Sequence, residues 1–144
     1  MRRLVVVLAL AFTPAAAADV GDIRYPLTKF VPVADPTGWG NATWLINPRP
    51  EQRAFCWDMS VVTKTRALFV YLRRGARGRV VGTIDVRPHD PYPWYGSQAY
   101  SGCIQLRRTV ILDLRAHPRR YYLDVRTVSV RHAIRARLHG PPLR

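Results

Sequence analysis

Arg53-Ala54-Phe55-Cys56-Trp57-Asp58-Met59-Ser60-Val61-Val62 is the stretch on which the fold turns. Phe55, Trp57, Met59 and Val61 occupy alternate positions, with Cys56, Asp58 and Ser60 between them. Such alternation is the period of a β-strand with one face in a core and the other toward water. A helix would need its apolar residues three and four apart. Pro48-Arg49-Pro50 interrupts the chain just upstream, which isolates the segment as one element.

The same period extends outward from it. Residues 41–47 place Ala42, Trp44 and Ile46 on one face, and residues 27–33 form a strand that ends at the turn Asp35-Pro36-Thr37-Gly38. Residues 67–72 are a continuous apolar run rich in β-forming side chains. Gly75-Ala76-Arg77-Gly78 reverses the chain into a strand over 79–86. Residues 88–96, dense in proline and aromatics, read as a long irregular loop, and 102–106 returns as a strand. Over 109–117 helical spacing takes over, with Val110, Ile111 and Leu114 on one side and Pro118 as the stop. Residues 121–128 and 133–138 alternate as two closing strands. Seven or eight short strands with one short helix predict an all-β fold, an antiparallel β-sandwich or Greek-key-like barrel.

The first 18 residues have a different character. Arg2 and Arg3 precede the apolar run 4–12, Pro14 follows, and Ala15-Ala16-Ala17-Ala18 supplies small residues. That order is a secretory signal peptide cut after Ala18. The run is about half of the roughly 20 residues a spanning helix requires. Cleavage leaves about 126 of the 144 residues, enough for one domain. Residues 19–26 read as an exposed leader and 27–140 as the β domain, with no transmembrane segment after the signal. The expected location is secreted or cell-envelope.

The net charge is +14, and +12 once Arg2 and Arg3 are gone. Only Lys29 and Lys64 are lysines; every other cation is arginine. Two explanations stay open, the codon content of a GC-rich bacterial genome or selection for an anionic partner. Export argues against nucleic acid. Cys56 and Cys103, an even pair in an oxidising compartment, are expected to form one disulfide.

The order and identity of these segments resemble the CHRD (chordin-type) domain family. Val31-Pro32-Val33, Thr37-Gly38 and Ala42-Thr43 look like the family's entry strand and glycine turn. Arg74-Gly75-Ala76-Arg77-Gly78 with Val80-Val81 is similar to its Arg-Gly-Ala-x-Gly turn, and Cys56 and Ser101-Gly102-Cys103 to the cysteines of bacterial members. His117-Pro118-x-x-Tyr121-Tyr122-Leu123-Asp124-Val125, then Ile134-Arg135 and Leu138, resemble the closing strands. The resemblance spans most of residues 27–138. It implies an exported binding or structural module. The chain departs from it where many members carry His-x-His, here Tyr71 and Arg73, and where a further His stands, here Arg126; Ala136 replaces a glycine. The resemblance therefore implies no metal-dependent activity for this chain.

The residues themselves point away from catalysis. His89, His117, His132 and His139 have no metal-ligand spacing, so neither metal nor cofactor is expected. His117 reads as the helix cap, and His132 and His139 as solvent residues. No Gly-x-Ser-x-Gly elbow surrounds Ser60, Ser97, Ser101 or Ser129, and the carboxylates are scattered. Asp58, Asp85 and Asp124 lie within strands, where pairing with arginines is the expected role.

Two segments are candidates for binding. Arg73, Arg74, Arg77 and Arg79 surround one tight turn, either an anion-binding rim or a solvated hairpin end. Tyr92, Trp94 and Tyr95 sit on a proline-stiffened loop, which either grips a partner or covers the edge of the core. The expected partner is a protein or an anionic polymer at the cell surface. Three functions remain open: a non-catalytic binding or structural module, an electrostatic polymer binder, and an enzyme with an unrecognised site.

Overall fold

The computed structural model describes residues 22–87 and 97–142. The expected signal peptide and the candidate aromatic loop with Tyr92, Trp94 and Tyr95 lie outside the described residues. In chain order the strands are β1 (Ile23–Arg24), β2 (Thr28–Pro32), β3 (Trp39–Asn47), β4 (Ala54–Val62), β5 (Ala67–Arg74), β6 (Arg79–Asp85) and β7 (Ser97–Gln105). Helix α1 (Arg108–Ala116) and the 3-10 turn Pro118–Arg120 precede β8 (Tyr121–Thr127) and β9 (Ile134–Arg137).

Every pairing is antiparallel, and the sheet runs β6-β5-β8-β9-β2-β3-β4-β7, with β1 added to β3. The terminal strands β6 and β7 come into contact, so the sheet curls into a nearly closed eight-stranded barrel. Gly82 sits at that seam: Ile104 Cδ1 and Leu106 Cδ2 occupy the space a Cβ there would need. Strands β5, β6 and β7 return around the barrel so that β7 lies beside β4 and β5 beside β8. That non-sequential order is the Greek-key feature.

The alternation read around Cys56 is the inner face of β4. Phe55, Trp57, Met59 and Val61 are buried, and opposite them on β3 lie Ile46, Trp44, Ala42 and Gly40. The Tyr25 ring stacks on Trp44 with ring centres 3.8 Å apart, and Gly102 leaves room for Trp57 on the β7 side. Apolar side chains meeting from all sides of a closed sheet remove the most surface from water per strand, at about 25 cal/mol per Å². Helix α1 covers one end of the barrel through buried Ile111 and Leu114, and His117 caps it. No helix among the described residues is long and apolar enough to cross a membrane.

Three expectations need correction. Residues 22–26 are not an exposed leader: β1 pairs with β3, and Tyr25 is buried because its ring completes the aromatic stack. The strand of Cys103 begins at Ser97 rather than at residue 102, because it is paired with β4 along its whole length. Strand β8 does not alternate in burial, since its outer face, Tyr122 and Asp124, is covered as well.

Cys56 and Cys103 face each other across β4 and β7 and are bonded, with Cα atoms 4.0 Å apart. Among the described residues no cysteine is free. The bond fastens two strands 47 residues apart in sequence, one of them a terminal strand of the sheet.

Candidate anion-binding surface

The β5–β6 hairpin carries the arginines. Arg74 pairs in register with Arg79, and Arg73 with Val80. Gly75 and Gly78 close the turn at φ of 70° and 66°, the left-handed region in which a side chain is strained. Gly75 N–H donates to the Arg120 carbonyl, which ties the turn to the segment ahead of β8.

Successive strand residues project to opposite sides. Arg73 and Arg74 therefore part, and the hairpin tip feeds two clefts rather than one. Arg77 is exposed on the turn between them.

On one side, Arg74, Arg79 and Arg107 line a cleft of about 270 Å³ together with Thr109 and Val110 of α1. Arg74 Nε reaches Asp113 Oδ2 at 3.1 Å. Among the described residues, Arg79 and Arg107 have no carboxylate partner. The helix begins here without a side-chain cap and without an acidic residue in its first turn, so its positive dipole end adds to the arginines. Asp113 also accepts a hydrogen bond from the Tyr121 hydroxyl. Burial holds the Tyr121 hydroxyl well above its usual range, and the Asp113 bond pushes it the same way.

On the other side, Tyr71, Arg73, Arg126, Arg131, His132 and Val80 line a cleft of about 350 Å³. Two of these residues, Arg73 and His132, bond to Asp124, which has no exposed surface. Asp124 Oδ2 accepts Arg73 Nε–H at 2.7 Å and lies 2.6 Å from His132 Nδ1. Arg73 also donates to the Gly78 carbonyl at 2.8 Å and stacks on the Tyr71 ring. Among the described residues, Val80 is the only one the two clefts share.

Of the four arginines singled out from sequence, then, the structure brings Arg74 and Arg79 together and sends Arg73 to the opposite cleft. Tyr71, Arg73 and Arg126 all line the second cleft. His132 is exposed, as expected, but it is also bonded to buried Asp124. It lies in the β8–β9 connection, folded back on a strand residue eight positions earlier, and no local spacing marks that contact. His139 Nε2 lies 3.0 Å from the Leu27 carbonyl. Among the described residues, no three of His, Cys, Asp and Glu gather in a metal-holding group.

No family model, no curated protein and no solved structure matches the chain.

Proposed function

We propose that this protein is an exported, non-catalytic binding module of the cell envelope, CHRD-like in kind, that holds an anionic polymer at the β5–β6 hairpin. The observation that carries the reading is the cleft at the start of α1. Arg79 arrives there from β6 and Arg107 from the position just ahead of α1, neither with a carboxylate partner among the described residues, beside Arg74 and next to exposed Arg77. Cations held close together repel one another, and a polyanion relieves that repulsion while accepting bidentate hydrogen bonds from the guanidiniums. Export is supported by the order of residues 1–18 and by the Cys56–Cys103 bond, since disulfides persist in oxidising compartments.

The test compares two triple variants of equal charge in binding to dextran sulfate at low and high salt. Arg77→Ser, Arg79→Ser and Arg107→Ser together are expected to weaken binding at least tenfold. Arg115→Ser, Arg119→Ser and Arg137→Ser together should weaken it no more than about threefold, through loss of general charge. Equal losses would mean that a uniformly basic surface, and not this cleft, does the binding.

A further inference from the structure

The second cleft differs in construction from the first. Its cations are backed by a buried counter-charge, and three parts of the fold supply its walls. Arg73 comes from β5, Arg126 from β8, and Arg131 and His132 from the β8–β9 connection. Four cationic or protonatable side chains thus face one space, and no carboxylate among the described residues lines it; Asp124, wholly buried, bonds to two of the four, Arg73 and His132. Arg135, cross-strand from Asp124, is turned onto the Tyr122 ring at 4.4 Å.

Asp124 is a holder, not a contact surface. One of its oxygens, Oδ2, is engaged by both Arg73 and His132; the other, Oδ1, is buried and has no partner. A carboxylate at Nδ1 fixes the imidazole plane. With Nδ1 committed to Asp124, Nε2 is the nitrogen left for a ligand, and the side chain remains 45% exposed at the cleft. Arg126 and Arg131 have no carboxylate partner among the described residues. Donors arriving from separate elements suit a tetrahedral anion, which offers three terminal oxygens, better than a planar carboxylate, which offers two. Tyr71 and Val80 complete the wall and give a small apolar surface for whatever carries the anion.

We infer that the Asp124–His132 cleft is a binding pocket for a single phosphoryl group, the phosphomonoester end of a sugar phosphate or of a lipid headgroup. His132 Nε2, Arg126 and Arg131 contact the phosphoryl oxygens. Asp124 and Arg73 are positioning residues, which set the imidazole and the β5 wall. This site does not depend on the polymer reading, because its contact residues lie outside the other cleft.

The test is calorimetric titration of the purified protein with inorganic phosphate, glucose 1-phosphate and acetate, and flotation with vesicles of phosphatidic acid in phosphatidylcholine. One saturable phosphate site per chain is expected, at least tenfold tighter than for acetate. Binding of glucose 1-phosphate identifies a soluble source and binding of the vesicles a lipid one; either supports the pocket. Arg131→Gln and His132→Gln should each weaken phosphate at least fivefold while dextran sulfate binding stays within twofold of the parent. Arg77→Gln with Arg79→Gln should show the reverse pattern. Both glutamine variants of the cleft change exposed side chains, and a thermal melt confirms that each is folded. Acetate binding as tightly as phosphate, no saturable site, or phosphate binding untouched by Arg131→Gln and His132→Gln would overturn the proposal.

Discussion

Asp124 has no exposed surface and two basic neighbours, which is why a strand residue flanked by apolar ones can remain buried and polar. A buried carboxylate is tolerated only with partners of this kind. The disulfide is the other decisive pair of residues. Cys56 and Cys103 sit directly opposite on β4 and β7, so strand pairing itself brings the two side chains together. On the chain-entropy argument, closing a loop this long is worth about 4 kcal/mol. Labelling thiols in denatured, unreduced protein should therefore detect almost none. The Cys56→Ala, Cys103→Ala double variant should unfold at lower urea, by up to about 4 kcal/mol. Two reactive thiols per chain in the parent, or no loss of stability in the variant, would count against this account.

At the scale of the element, the β5–β6 hairpin depends on two glycines that are not equivalent. Both have positive φ, but a Cβ on Gly75 would meet nothing within 4 Å, whereas one on Gly78 would come 2.5 Å from the Tyr122 hydroxyl. Gly75→Ala should thus cost only the left-handed backbone penalty, about 1 kcal/mol. Gly78→Ala adds a clash at a buried tyrosine and displaces the carbonyl that Arg73 bonds. It should cost clearly more than Gly75→Ala in urea denaturation, and equal costs would show that Tyr122 gives way freely. The hairpin was legible in the sequence because glycine, turn and alternating strand all act locally. The partition of its arginines was not, because it depends on where α1 and β8 come to lie.

For the molecule as a whole, the barrel buries three tyrosines whose ionisation it opposes. Burial is the main cause that raises Tyr25, Tyr100 and Tyr121, and at Tyr121 the Asp113 hydrogen bond adds to it. The folded state then keeps protons that the unfolded chain releases near the ordinary tyrosine value of about 10. Their contribution to stability is complete below that pH and is lost as pH rises above it. The slope reaches about 1.4 kcal/mol per pH unit for each tyrosine involved. Urea midpoints should be level between pH 8 and 9 and fall steeply by pH 11, and Tyr121→Phe should make the fall shallower. A midpoint unchanged at pH 11 would contradict the burial of these hydroxyls.

The sequence by itself determined most of the strands, the inner face of β4 and the disulfide pair. Period-two patterning of Phe55, Trp57, Met59 and Val61 and the glycine turns are written within a few residues of one another, and with only two cysteines in the chain one pairing is possible. It misread Ile23–Arg24 because a two-residue strand carries no period; Tyr25 is buried only where Trp44 happens to stack on it. Closure of the sheet at Gly82, and the order β6-β5-β8-β9-β2-β3-β4-β7, were decided by the tertiary structure alone. So was the candidate site. Arg73, Arg126, Arg131 and His132 converge on Asp124 from strands and a connection whose adjacency is set by sheet order, and side-chain chemistry along the chain holds no information about which strands become neighbours.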